Sequence, residues 1–145
     1  MERLAPRLRS SLVGHGLAVV LLGLGVGFPY ASVISGSMAG SERAWRMAHL
    51  EGVLNGLLLV AIGAAGDSIA LAPARAKWLH WALVVTAYGN VAGAVLGAAT
   101  GERGLSPAGP LANFLVFALF TAAIVAVFVA LGLAAAGAFR ATRNE

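Results

Sequence analysis

Apolar residues run along this chain in four long blocks separated by short polar breaks. They do not alternate with polar residues, as in a half-buried strand, nor fall on one face, as in a surface helix. The blocks span Leu12–Ile34, Trp45–Gly66, Trp78–Ala99 and Leu111–Phe139. Each reaches the roughly 20 residues a helix needs to cross the hydrocarbon of a bilayer. A helix that is apolar all round belongs in lipid or in a large core. The pattern therefore predicts an all-α fold, an integral membrane bundle of four transmembrane helices, as a single domain over residues 1–145. The fourth block is long enough to tilt or to extend past the membrane. Its run of phenylalanine and β-branched residues around Phe120–Phe128 predicts a lipid-facing wall. The first block is longer than a signal-peptide core and has no convincing small-residue cleavage site, so it is expected to be retained.

The breaks carry the residues that end helices. The first helix is expected to close near Pro29-Tyr30 and the polar run Ser35–Ser41, the second at Gly66-Asp67. The loop Thr100–Pro110 holds two prolines and several glycines, which a helix does not tolerate in series. Trp78 and Trp81 open the third helix, where indole rings suit the membrane interface. Glycines recur at four-residue spacing: Gly23 and Gly27, Gly52 and Gly56, and the row Gly89, Gly93, Gly97. Such rows lie on one helix face and let backbones approach closely. The row on the third helix can serve packing within the chain, contact between subunits, or a flat wall against a large planar ligand.

Composition strengthens the membrane reading. The chain is 59% hydrophobic and 11% charged, too few charges to cover a soluble domain. The absence of cysteine excludes disulfides, thiolate ligands and iron–sulfur clusters. A net charge of +4 could suggest a nucleic-acid partner, but the basic residues sit at helix ends, and no such partner is expected. Arg3, Arg7, Arg9, Arg75, Lys77, Arg140 and Arg143 fall on one side of the membrane, and Arg43, Arg46 and Arg103 on the other. The positive-inside rule then puts both termini and the second loop in the cytoplasm, and a bacterial-type inner membrane is the expected location. The basic stretch Met1–Ser10 is expected to lie along the headgroups.

Polar side chains in lipid are costly and usually face a bundle interior. Asp67, His80 and His15 lie near helix ends, where interfacial placement explains them, and Asn113 can satisfy backbone groups at the start of the fourth helix. The segment Ala48-His49-Leu50-Glu51-Gly52-Val53-Leu54-Asn55-Gly56 is different, because it packs three polar side chains into two turns of a spanning helix. Glu51 and Asn55 share a face, whereas His49 lies about 240° around the helix from Asn55. A single small ligand cannot meet both directly. Either a wide ligand spans them or a neighbouring helix completes the site. The segment can equally be a hydrogen-bonded cluster between helices. A neutral imidazole is also a good axial ligand for haem iron. With three histidines and no cysteine, one axial histidine fits better than a multi-histidine zinc site.

This segment, preceded by Trp45, resembles the small four-helix membrane proteins of the hydroxylaminobenzene mutase and styrene oxide isomerase group. The resemblance extends to Gly14-His15-Gly16, Asn90-Val91 and Arg103-Gly104-Leu105. It covers most of the chain and is most specific in the second helix, where Leu50-Glu51 after the histidine looks closer to the mutase branch. It implies a homotrimer holding haem b inside the membrane. His49 would be the axial ligand of the iron, and Asn55 an active-site residue that orients the substrate oxygen. In styrene oxide isomerases ferric iron acts as a Lewis acid on an aryl epoxide, which opens to a benzylic cation and rearranges to an aldehyde. In the mutase branch hydroxylaminobenzene becomes 2-aminophenol. Both are isomerisations of small apolar aryl substrates drawn from the bilayer. Styrene oxide isomerases carry an active-site tyrosine and an aspartate on the third helix. This chain has Ala94 and Thr86 at those positions, which counts against styrene oxide itself as substrate. Glu51 is expected to support the site or sit at the interface rather than act as a base. Two alternatives stand beside the isomerase: a haem-binding redox or sensor protein without turnover, and a non-catalytic four-helix carrier or assembly partner.

Overall fold

The computed structural model of the chain describes residues 2–142; Arg143 lies outside the described residues. Four long helices dominate it: α1 (Pro6–Ile34), α2 (Glu42–Ala64), α3 (Pro73–Thr100) and α4 (Leu111–Ala141). All four are long and apolar enough to span a membrane. The chain is a multi-pass membrane protein.

Helices α1, α2 and α3 begin earlier than their apolar blocks, because a helix does not stop where its hydropathy does, whereas α4 begins at Leu111 with its block. Pro6 and Pro73 stand in the first turns of α1 and α3, where their fixed φ favours initiation and the missing N–H is no loss. The Ser41 hydroxyl caps α2 by accepting from the Ala44 N–H at 3.3 Å. At Gly101 α3 ends in a left-handed residue (φ 78°), whose N–H donates to the Gly97 carbonyl. Pro29 does not end α1, which runs on to Ile34. One proline removes one hydrogen bond, a loss that membrane helices commonly absorb.

The N-terminal stretch is tied to the bundle from Glu2 onward. Glu2–Arg3 (β1) pairs antiparallel with Ala70–Leu71 (β2), joining the terminus to the α2–α3 connection. The Leu4 N–H donates to the Gly66 carbonyl at 3.3 Å, and the Leu4 side chain is buried. A 3₁₀ turn, Ala65–Ser68, shapes that connection. The Arg9 guanidinium pairs there with Asp67, so the interfacial aspartate expected from the sequence is also a tie between two segments.

The helices pack in unequal ways. Of the most apolar stretch of each, 61% is buried in α3, 33% in α2, 17% in α4 and 11% in α1. The central helix is therefore α3. Its neighbour α4 leaves Phe114, Ile124, Val125, Phe128 and Phe139 exposed, as the expected lipid-facing wall requires. Along the α1–α2 seam the glycines meet at backbone distance. A Cβ on Gly16 would fall 2.7 Å from the Gly56 carbonyl oxygen, and one on Gly23 would fall 2.6 Å from the Val53 nitrogen. The α3 row is used within the chain: Gly89 and Gly93 face Ala123, Leu119 and Phe120 of α4, and Gly97 faces the Glu102 carbonyl.

Candidate functional site

His49 stands on the side of α2 that meets α1. Its Nδ1 lies 2.8 Å from the Gly23 carbonyl oxygen. A carbonyl only accepts, so Nδ1 carries the proton and donates. That fixes the tautomer and leaves Nε2 as the ring's free lone pair, the state a metal-ligating histidine adopts. Tyr30 lies against the ring, with centroids 6.2 Å apart and planes inclined by 22°. Room for the imidazole comes from Gly27, where a Cβ would sit 3.4 Å from Nδ1.

Glu51, Asn55 and Asn90 form a chain of hydrogen bonds between α2 and α3. The Asn55 Nδ2 donates to the Glu51 backbone carbonyl at 2.9 Å and to Glu51 Oε2 at 2.7 Å. Asn90 Nδ2 donates to Asn55 Oδ1 at 3.2 Å. Asn55 is only 8% exposed, so its amide is spent on these partners. What the chain presents outward is the Glu51 carboxylate, which lines a cavity of about 600 Å³ between α2 and α3. Gly93, Ala94, Gly97 and Ala98 make its flat α3 wall, Met47 and Phe120 flank it, and Arg43 and Arg103 stand among the loop-end residues. The helix period puts Met47 and Glu51 on the side of α2 away from His49. Within one chain, then, Glu51, Asn55 and Asn90 come together, and His49 and Asn55 do not.

A family model for styrene oxide isomerase matches residues 8–139. The chain belongs to the styrene oxide isomerase family. No curated protein sequence matches it. Membership supports an isomerase-like function at the level of the family.

The two departures from the styrene oxide isomerase pattern fall in different surroundings. Ala94, which the resemblance sets opposite the tyrosine, lines the Glu51 cavity with a small side chain. Thr86, at the position of the aspartate, is 1% exposed. Its hydroxyl lies 2.8 Å from the Ala82 carbonyl and 3.3 Å from the Ala123 carbonyl of α4. It faces a helix seam rather than the cavity.

A second polar cluster lies toward the terminal ends of α1 and α3. His15 Nδ1 and the Tyr88 hydroxyl share a hydrogen bond of 3.1 Å, and the His15 and His80 rings meet edge to face with centroids 5.9 Å apart. His80 is 7% exposed, and its Nδ1 has no partner among the described residues. It lies in the N-terminal part of α3 and is turned inward between helices, because α3 is the central helix. The pairing of His15 with Tyr88 is also new. No local spacing could reveal it, since the residues lie 73 positions apart. Asn113 does what its position suggested. It accepts from the Gly104 N–H at 2.9 Å and donates to the Ser106 and Ala108 carbonyls at 2.8 and 2.7 Å.

Proposed function

We propose that this chain is a haem b-dependent membrane isomerase that rearranges a small aryl substrate, of the hydroxylaminobenzene or aryl-epoxide kind, without net redox change. The observation that carries the reading is the His49 imidazole, tied at Nδ1 to a backbone carbonyl and free at Nε2. That donor set suits a single axial ligand to haem iron. Held by His49, a ferric haem would supply Lewis-acid polarisation of a substrate oxygen.

The chain's own residues would do the rest. The cavity beside Glu51 has a floor of glycine and alanine that admits a flat ring. Met47, Phe120 and the glycine–alanine face make its apolar part, while Ser41, Arg43, Glu102 and Arg103 line its loop end. A substrate seated against the apolar part would displace water there, which protects a cation from capture as a diol. Asn55 and Asn90 hold Glu51 in place rather than meeting the substrate themselves. A homotrimer is part of this reading. His49 and the cavity occupy opposite sides of α2, so an active site that uses both is completed by a second copy of the chain. The substrate reaches it from the bilayer, in a bacterial-type inner membrane with both chain termini in the cytoplasm.

The test is product analysis. Detergent-purified, haem-supplied protein is incubated with hydroxylaminobenzene and, separately, with styrene oxide. The reading expects 2-aminophenol or phenylacetaldehyde from the parent, and at least a hundredfold less from His49→Ala. Pigmented protein that converts neither compound would point instead to a redox or sensor role.

A further inference from the structure

We infer that Glu51 is the specificity-determining residue of the α2–α3 cavity, and that it selects aromatic ligands whose ring substituent carries an N–H or O–H donor. The inference rests on the reading of that cavity as the substrate site.

The argument begins with what the Glu51 carboxylate lacks. It has about four lone-pair positions to satisfy. Asn55 Nδ2 fills one, at Oε2, with a bond of 2.7 Å. Among the described residues Oε1 has no hydrogen-bond partner, and no basic side chain stands within ion-pair distance of the group. The residue is half-buried beside an apolar wall, where water is a poor substitute for a fixed donor. Nor can the group turn away. Asn55 spends one N–H on the Glu51 backbone and the other on its side chain, and Asn90 holds the Asn55 oxygen. Asn55 and Asn90 are thus positioning residues, and the open oxygen is the polar feature they maintain.

An acceptor so placed discriminates between two kinds of small arene. A hydroxylamine, an amine or a phenol offers a hydrogen to Oε1. An epoxide or an ether offers a second acceptor, which leaves both oxygens without a partner. A hydrogen bond to a charged group corresponds to a preference on the order of 10- to 100-fold. The apolar lining of glycine, alanine, methionine and phenylalanine contacts both kinds of ring alike. Ser41, Arg43, Glu102 and Arg103 line the loop end of the same cavity, so it is the Glu51 variants that isolate the share of this carboxylate.

The experiment measures binding of non-reacting probes to the detergent-purified full chain: phenol and aniline against anisole and N,N-dimethylaniline, by equilibrium dialysis. The parent is expected to favour the donor-bearing pair by roughly 10- to 100-fold. Glu51→Gln, nearly the same size, presents an amide N–H in place of Oε1 and is expected to abolish or invert the preference while still binding anisole. Glu51→Asp is expected to keep part of it. Equal affinity for both pairs in the parent would overturn the inference. So would a preference that survives in Glu51→Gln, or binding of neither pair. Retained preference in a protein that isomerises nothing would leave Glu51 as the selector and remove only the catalytic reading.

Discussion

On the side of α2 that meets α1, Gly52, Gly56 and Gly63 bring two backbones together with nothing between them, and His49 reaches across to a carbonyl. On the side that meets α3, Glu51 and Asn55 keep the helices apart around a cavity and join them through amide hydrogen bonds. The first contact tolerates no added atom; the second tolerates volume but not loss of polarity. Lipid explains the division. Apolar burial drives little association where the solvent is itself apolar, so close backbone packing and interhelical hydrogen bonds are what remain. One helix thus presents a candidate metal ligand on a rigid seam and a candidate substrate contact on an open one.

The comparison breaks most completely at the glycine seam. Gly23→Leu places side-chain atoms where the Gly52 and Val53 backbone already lies. It is expected to cost at least about 3 kcal/mol, read as loss of the folded species in detergent melting. Asn55→Leu attacks the other side. It strips the Glu51 and Asn90 side chains of a partner and is expected to destabilise by about 1–3 kcal/mol, while haem content at the His49 side stays unchanged. A fall in haem content equal to that of His49→Ala would show that the two sides are not independent. Gly25→Ala sharpens the seam from outside. Gly25 lies on α1 two residues from Gly23, with nothing within 4 Å of its missing side chain. The substitution should leave the melting temperature unchanged or raise stability by up to about 1 kcal/mol. A marked loss would mean that this face is covered in the assembled protein.

The sequence made the four spans and the membrane class legible because both depend on hydropathy and length, which are local. It also marked α2 as the helix of the candidate site, since His49, Glu51 and Asn55 are close in the chain. It was silent wherever a partner came from another helix. The glycine rows announced close packing but not that Gly16 would meet Gly56, or that Gly89 and Gly93 would serve α4. The periodicity separated His49 from Asn55 correctly, but the acceptor that fixes the imidazole, the Gly23 carbonyl, is a backbone atom and leaves no mark in composition. His80 is a similar case. Its place near Lys77 and the start of α3 could be read from the sequence, but its burial between helices follows only from the central place of α3.

The most direct test of the central claim is the absorption spectrum of the protein purified in detergent after expression with haem supply, recorded beside His49→Ala at matched concentration. The account predicts a Soret band in the parent that is lost or shifted in the variant, with both proteins eluting alike on size exclusion. A parent without a Soret band, or a variant with an unchanged one, would contradict the assignment of His49 as the axial ligand.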